Sequence, residues 1–370
     1  MALYLTVMLA MLAGYYWKVN EDGWKKKAFC IVSAAVLIYF AALRAVSVGA
    51  DTPQFFNAYE KIASGEWTFR EQSGFGGRFE TGFFVLCRLL GYISKDGQLL
   101  LIVTSVFSLS VLCWFIYRNS SDVVFSLLAF VGFQFYAFYL TAMRQVLAIS
   151  IVLIGLEMFL CKRKYLGFIL TVLFACLFHD SAFFALAMLP MYLLKPSKGL
   201  LSLCAIVLFV VFFGFRQLFE IAASLTGFSA YLGSEFDVAN YFAGAIKALL
   251  SVIVLFVMGY SLRFGRERER RLLSQKRDRV EDFFIWLQVA TVFLSVLSMR
   301  AIIIERICCY FNFFGFLILP QFLRKNVRKE DEKTFKILLV LLAFAYCATV
   351  LLFRPEWTKV TPYLFYFQAP

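Results

Sequence analysis

The sequence lacks most of what a soluble enzyme of its length relies on. Only 16% of its 370 residues are charged, and a single histidine, His179, is present. So little charge cannot clothe a solvated globule, and the 62% of hydrophobic residues fall in continuous runs. Strict apolar/polar alternation is missing from those runs, which excludes a transmembrane β-barrel. The nine cysteines show neither CxxC nor metal-ligand spacing, and Cys308 and Cys309 adjoin inside an apolar run. They read as small hydrophobes, with no disulfide framework and no zinc site.

What is there is a series of apolar runs near 20 residues, at 28–48, 99–117, 123–140, 200–215, 248–262, 283–299, 307–323 and 335–353. About 20 such residues cross a bilayer core as a helix, and only helices or closed barrels satisfy their backbone polar groups in lipid. The sequence therefore predicts an all-α polytopic integral membrane protein, one domain over 1–370. The first run, 2–17, has no charged region before it and lysines rather than a small-residue cleavage site after it. It is expected to be a retained helix, not a signal peptide.

A formal net charge of +13 raises the question of nucleic acid, but its placement answers otherwise. Basic residues cluster at 25–27, 162–164, 195–198, 263–279 and 324–336, as short cytoplasmic loops of membrane proteins do. Alternating from those loops gives about twelve crossings with both termini extracytoplasmic. Outer loops fall at 51–78 and 219–241, and the cytoplasmic basic loop at 263–281. One segment, 79–93, would begin and end outside. It is short and carries Arg88, so it is predicted to be re-entrant or interfacial.

Other basic residues sit within apolar runs or at outer helix ends: Arg44, Arg88, Arg144, Arg216, Lys247, Arg300 and Arg306. Ionisable groups there face a polar cavity or a partner, and converging guanidinium groups match phosphate oxygens. Each has a plainer alternative. Arg44 lies near a helix end from which it can snorkel, and Arg300 and Arg306 flank Glu305 as an internal ion pair would. Arg144, beside Gln145 after a long apolar run, favours function.

His179 lies between two apolar arms of 13 or 14 residues, each spanning about 20 Å as helix, short of a 30 Å core. His179, Asp180 and Ser181 are thus expected below the outer surface. The histidine is either an acid or base in a wet cavity, or part of a helix cap begun by Asp180 or Ser181.

An ordered set of residues carries a resemblance. Arg44, Gly49-Ala50-Asp51-Thr52, Tyr59, Glu80-Thr81-Gly82-Phe83, Arg144-Gln145 with Leu147-Ala148, Phe178-His179 with Ser181-Ala182, Arg306 with Tyr310-Phe311, and Pro362-Tyr363 with Phe365 together resemble the EpsG family of Wzy-like polysaccharide polymerases. The resemblance implies a glycosyltransferase of the bacterial plasma (inner) membrane, with its active site on the extracytoplasmic side. It would extend a surface glycan, such as an exopolysaccharide, capsule or O-antigen, from oligosaccharide repeat units linked to undecaprenyl diphosphate. The implied partners are those lipid-linked oligosaccharides, membrane lipid, and a chain-length regulator and flippase of the same pathway. No nucleic acid and no cofactor are implied.

Such a transfer needs the charge on the departing diphosphate stabilised and the acceptor hydroxyl deprotonated. The catalytic candidates are His179, Asp51 and Arg144, with either His179 or Asp51 as the base. Arg44, Tyr59, Gln145, Ser181, Arg300, Glu305 and Arg306 are the substrate-binding candidates. No DxD occurs; Glu235 and Asp237 form a weak metal candidate, and metal-independent transfer is the expectation. Trp67, Tyr59 and Tyr231 either stack on sugars or belong to the interfacial aromatic belt. Two rival activities remain open here. One is a ligase moving lipid-linked glycan to another acceptor, and the other is a transporter or flippase of the same lipid.

Overall fold

The computed structural model describes residues 2–69, 79–226, 233, 237–269 and 279–368. Among the described residues there is no β-strand, only an isolated bridge between Arg44 and Phe365. The residues group into two compact units, Met1–Phe183 with Lys329–Pro370, and Phe184–Arg328.

The first unit begins with α1 (Ala2–Tyr16), α2 (Gly23–Ala42), α3 (Thr52–Ser64), α4 (Thr81–Leu90) and α5 (Gln98–Asn119). It continues through α6 (Val123–Gly132), α7 (Phe135–Thr141), α8 (Met143–Gly155), a π-helical turn at Leu156–Leu160, and α9 (Tyr165–Cys176). A 3-10 helix follows at Asp180–Ala187. The second unit holds α10 (Met188–Leu193), α11 (Lys198–Phe213), α12 (Phe215–Thr226), α13 (Tyr241–Glu269), α14 (Arg279–Leu297), α15 (Ile303–Cys308) and α16 (Phe314–Asn326). The chain then returns to the first unit as α17 (Lys329–Phe353).

Five described helices are long and apolar enough to cross a membrane: Gln98–Asn119, Met143–Leu160, Tyr241–Tyr260, Arg279–Leu297 and Lys329–Phe353. Two bent pairs, Val123–Gly132 with Phe135–Thr141 and Lys198–Phe213 with Phe215–Ile221, raise that number to seven if each is one span. The protein is thus a multi-pass, all-helical membrane protein. Other runs expected to cross form shorter apolar helices, Leu3–Tyr16, Tyr165–Cys176 and Asp180–Leu193. At 79–93 the regular helix is only Thr81–Leu90, about 15 Å long, half a bilayer core.

Local chemistry sets the helix ends. The Asp22, Asp122 and Ser197 side chains accept N–H groups of the first turns of α2, α6 and α11, as N-caps do. Two basic residues also tie helix ends together. Arg118 meets Glu157 at 3.0 Å, and Lys336 meets Asp122 at 2.9 Å.

The segment 51–78, expected as an outer loop, contains α3, and its residues 70–78 lie outside the described ones. Helix forms because Phe55, Tyr59 and Ile62 recur at helical spacing and bury one face. That face packs with Phe79 and Phe83 around α4, Leu100 of α5, and Met143 and Leu147 of α8. In the second unit α13 packs on α14 and α16, and Gln288 donates to the Ser251 carbonyl at 2.7 Å. Of the expected loops 219–241 and 263–281, residues 227–232, 234–236 and 270–278 are outside the described ones.

Candidate functional site

Arg144 is the second residue of α8, just after the non-helical Ala142 (φ −94°, ψ 58°) that separates α8 from α7. Its side chain is 19% exposed and forms an ion pair with Glu80. Three rings surround the guanidinium carbon, with centroids at 5.3 Å (Phe55), 5.3 Å (Phe79) and 5.9 Å (Phe83). Such cation–π contacts contribute about 0.5–2 kcal/mol each. They hold the charge in a fixed place. Arg144 Nε is buried without a hydrogen-bond partner.

Glu80 occupies the extended residue before α4 (φ −66°, ψ 146°). Burial raises its carboxyl above its ordinary value; the Arg144 charge opposes the rise and the Asp180 charge adds to it. Two residues on, the backbone N–H of Gly82 donates to the Leu177 carbonyl at 2.7 Å. A Cβ on Gly82 would meet that oxygen at 2.7 Å, so the approach needs glycine. The same carbonyl accepts the Phe83 N–H at 3.3 Å. The first turn of α4 thereby grips the chain two residues before His179 and gathers Arg144, Glu80 and the His179–Ser181 turn within the first unit.

His179 is half-buried. Its Nδ1 accepts the Ser181 backbone N–H at 3.3 Å and lies 2.6 Å from Ser181 Oγ. With Nδ1 accepting, a neutral ring carries its proton on Nε2. Of the two expected readings the geometry shows the cap: His179 precedes the 3-10 helix that begins at Asp180, and its ring is oriented by Ser181 in the first turn.

Asp51 is the residue preceding α3, one turn ahead of Phe55 on the same helical face. Its turn is pinned from the far end of the sequence. Gly49 and Ala50 donate to the Lys359 and Thr358 carbonyls at 2.9 and 3.1 Å, and Ala45 donates to Leu364 at 2.9 Å. Gly49 has φ +99°, and a Cβ there would meet the Leu140 carbonyl oxygen at 2.6 Å.

Arg44 is 1% exposed. One Nη donates to the Ala41 carbonyl and approaches Ser105 Oγ at 3.4 Å, and the other donates to Leu140 at 3.1 Å. It is an internal strut between α2 and the end of α7. Tyr59 is likewise fully buried and donates to the Ser94 carbonyl at 2.6 Å. Gln145 is 1% exposed on α8. Arg88 donates to the Ile62 carbonyl at 2.8 Å, closing the C-terminal end of α3.

In the second unit, Glu305 pairs with Lys247 of α13 rather than with the arginines flanking it. Arg300 lies over the Phe212 ring at 5.2 Å and donates to Tyr241 Oη at 3.1 Å. Arg306 sits half-buried on α15. Asp237 accepts Arg216 at 2.7 Å and the Gly233 N–H at 2.8 Å. Glu235 and Tyr231 lie outside the described residues.

Sequence reasoning missed two pairings, Glu80 with Arg144 and Lys247 with Glu305. The Glu80-Thr81-Gly82-Phe83 stretch drew notice only as a resemblance, although an acid opening an apolar run is itself a signal that a cation is near.

No curated protein and no solved structure matches the chain. The family model described as the EpsG family matches residues 27–365. With nearly all of its length covered, the chain belongs to the EpsG family, whose members are Wzy-like polymerases, and its role is of the polysaccharide-polymerase, glycosyltransferase type.

Proposed function

We propose that the protein polymerises undecaprenyl-diphosphate-linked oligosaccharide repeat units at the outer face of the bacterial plasma membrane. The observation that carries this reading is the Arg144 guanidinium, caged by three phenyl rings and paired with Glu80, beside the turn of the only histidine. A hydroxyl of one lipid-linked unit attacks the anomeric carbon of another. The new glycosidic bond forms as the anomeric carbon–phosphate oxygen bond breaks, and undecaprenyl diphosphate departs. A cation fixed in a low-dielectric setting stabilises the charge that grows on the departing oxygen.

In this reading Arg144 binds the diphosphate, and His179 offers its Nε2–H to the same group. The hydroxyl proton then passes to a carboxylate, Asp51 at the head of α3. Arg300 and Arg306 of the second unit bind phosphate of a lipid-linked substrate, and Lys247 holds Glu305 beside them. The leaving group is stabilised by guanidinium without a divalent ion. About twelve crossings, counting the shorter apolar helices and leaving 79–93 re-entrant, put both termini and this site outside. There a flippase delivers the units and a chain-length regulator attends the polymer.

The test is purified protein in liposomes given a lipid-linked repeat unit alone. A ladder of products supports polymerisation, and its absence in the presence of folded protein overturns it. Transfer seen only when a different acceptor is added would identify a ligase.

A further inference from the structure

We infer that a groove on the far side of α3 from Arg144 is a glycan subsite that holds the distal sugars of a lipid-linked chain. The inference rests on the polymerase reading. α3 has two dissimilar faces. Phe55, Tyr59 and Ile62 are buried toward Arg144 and α4, whereas Gln54, Asn57 and Glu60 are exposed along the other side. That side, with Lys61, Trp67 and Lys95, lines a cavity of about 820 Å3, within the roughly 300–1,000 Å3 of small-molecule sites.

Its chemistry fits a carbohydrate. The amides of Gln54 and Asn57 both donate and accept, Glu60 accepts, and the two lysines donate. The carboxylates Glu60 and Glu66 balance Lys61 and Lys95, so the groove has no excess charge to draw a polyanion or an acidic headgroup. Trp67 adds an apolar ring of the kind that the C–H faces of sugars pack upon. The backbone N–H of Trp67 donates to the Lys61 carbonyl at 3.1 Å, and Lys61 Nζ lies 5.3 Å from the ring centroid. Lys61 is itself fixed by Glu66 at 3.1 Å.

The groove also has a defined relation to the cationic centre. The Trp67 ring packs on Phe79 with centroids 5.9 Å apart, and Phe79 is one of the rings around Arg144. One aromatic layer separates the two. A chain anchored by its diphosphate at Arg144 can lay sugars several units away along α3.

The experiment uses the full chain in its own membranes, with p-benzoylphenylalanine in place of Asn57 as a photo-crosslinking probe. Irradiation is expected to attach periodate-oxidisable carbohydrate to the protein. Trp67→Ala, and separately the exposed pair Gln54→Ala and Asn57→Ala, should shift the polymer toward shorter chains, each by roughly threefold or more in modal length. The exposed pair guards against a folding defect in the tryptophan variant. Capture of lipid or protein without carbohydrate, or unchanged chain length in both variants, overturns the subsite while leaving the polymerase reading intact. If the wild type forms no polymer, that reading falls, and carbohydrate capture at position 57 still decides the groove.

Discussion

The Leu177 carbonyl accepts the Gly82 N–H at 2.7 Å, and through that bond the helix that follows Glu80 is fastened to the turn that carries His179. Neither residue has reactive chemistry of its own. Their contact sets the distance between two groups that do.

A methyl at position 82 would press on the Leu177 oxygen. Gly82→Ala is therefore expected to lower stability by about 1–3 kcal/mol and to cut ladder formation, with protein still present in the membrane. Gly199→Ala, where nothing lies within 4 Å of the added carbon, serves as the silent control. Thermal unfolding in detergent and the liposome assay check both.

Arg144→Ala should abolish polymerisation. Arg144→Lys should lose about 100-fold or more, because an ammonium keeps the charge but lacks the planar fork and fills the ring cage differently. Initial rates of ladder formation measure this, and a fully active lysine variant would remove the guanidinium from the mechanism.

Glu80 bears on pH dependence. Its carboxyl is raised above the ordinary value by burial, so acidification neutralises it at a pH above the roughly 4.3 of a free glutamate. The charge partner of Arg144 is then lost, and activity should fall on the acid side through that raised value. Glu80→Gln should be impaired at all pH values and lack this acid limb. A rate profile against pH separates the two outcomes.

Arg44 is predicted to act on stability rather than on substrate. Arg44→Met leaves the Ala41 and Leu140 carbonyls without a charged donor, at a cost of about 1–3 kcal/mol. The apparent KM of the molecules that remain folded should be unchanged. A raised KM with normal thermal stability would make Arg44 a substrate ligand instead.

Much of the architecture was legible because bilayer thickness constrains composition directly. Apolar runs of about 20 residues had to be helices, and helix occupies most of each of them. The bends were less legible. The run 123–140 is broken between α6 and α7 by 59°, where Gln134 takes a left-handed φ of 65°, and hydropathy averages over such a residue. α3 is hidden from a hydropathy window, because a helix half clothed in polar groups has the mean hydropathy of a loop.

For the site, the residue types were legible and the pairings were not. Arg144 and His179 stand out as ionisable groups among apolar neighbours. The partner of each arginine depends on which helices adjoin, so Glu80 for Arg144, and Lys247 rather than an arginine for Glu305, could be read only from the fold. Arg44 shows the converse: a lone buried cation signals a need for acceptors, and backbone carbonyls of Ala41 and Leu140 meet it.

The turn that ends at Asp51 is held by residues near 358–366, and Tyr363 Oη donates to the Phe40 carbonyl from 323 residues away in sequence. During synthesis, this turn leaves the ribosome long before the residues that clasp it. The nascent chain therefore inserts the intervening helices with this turn unlatched. A premature stop that spares every membrane helix would still leave the turn open.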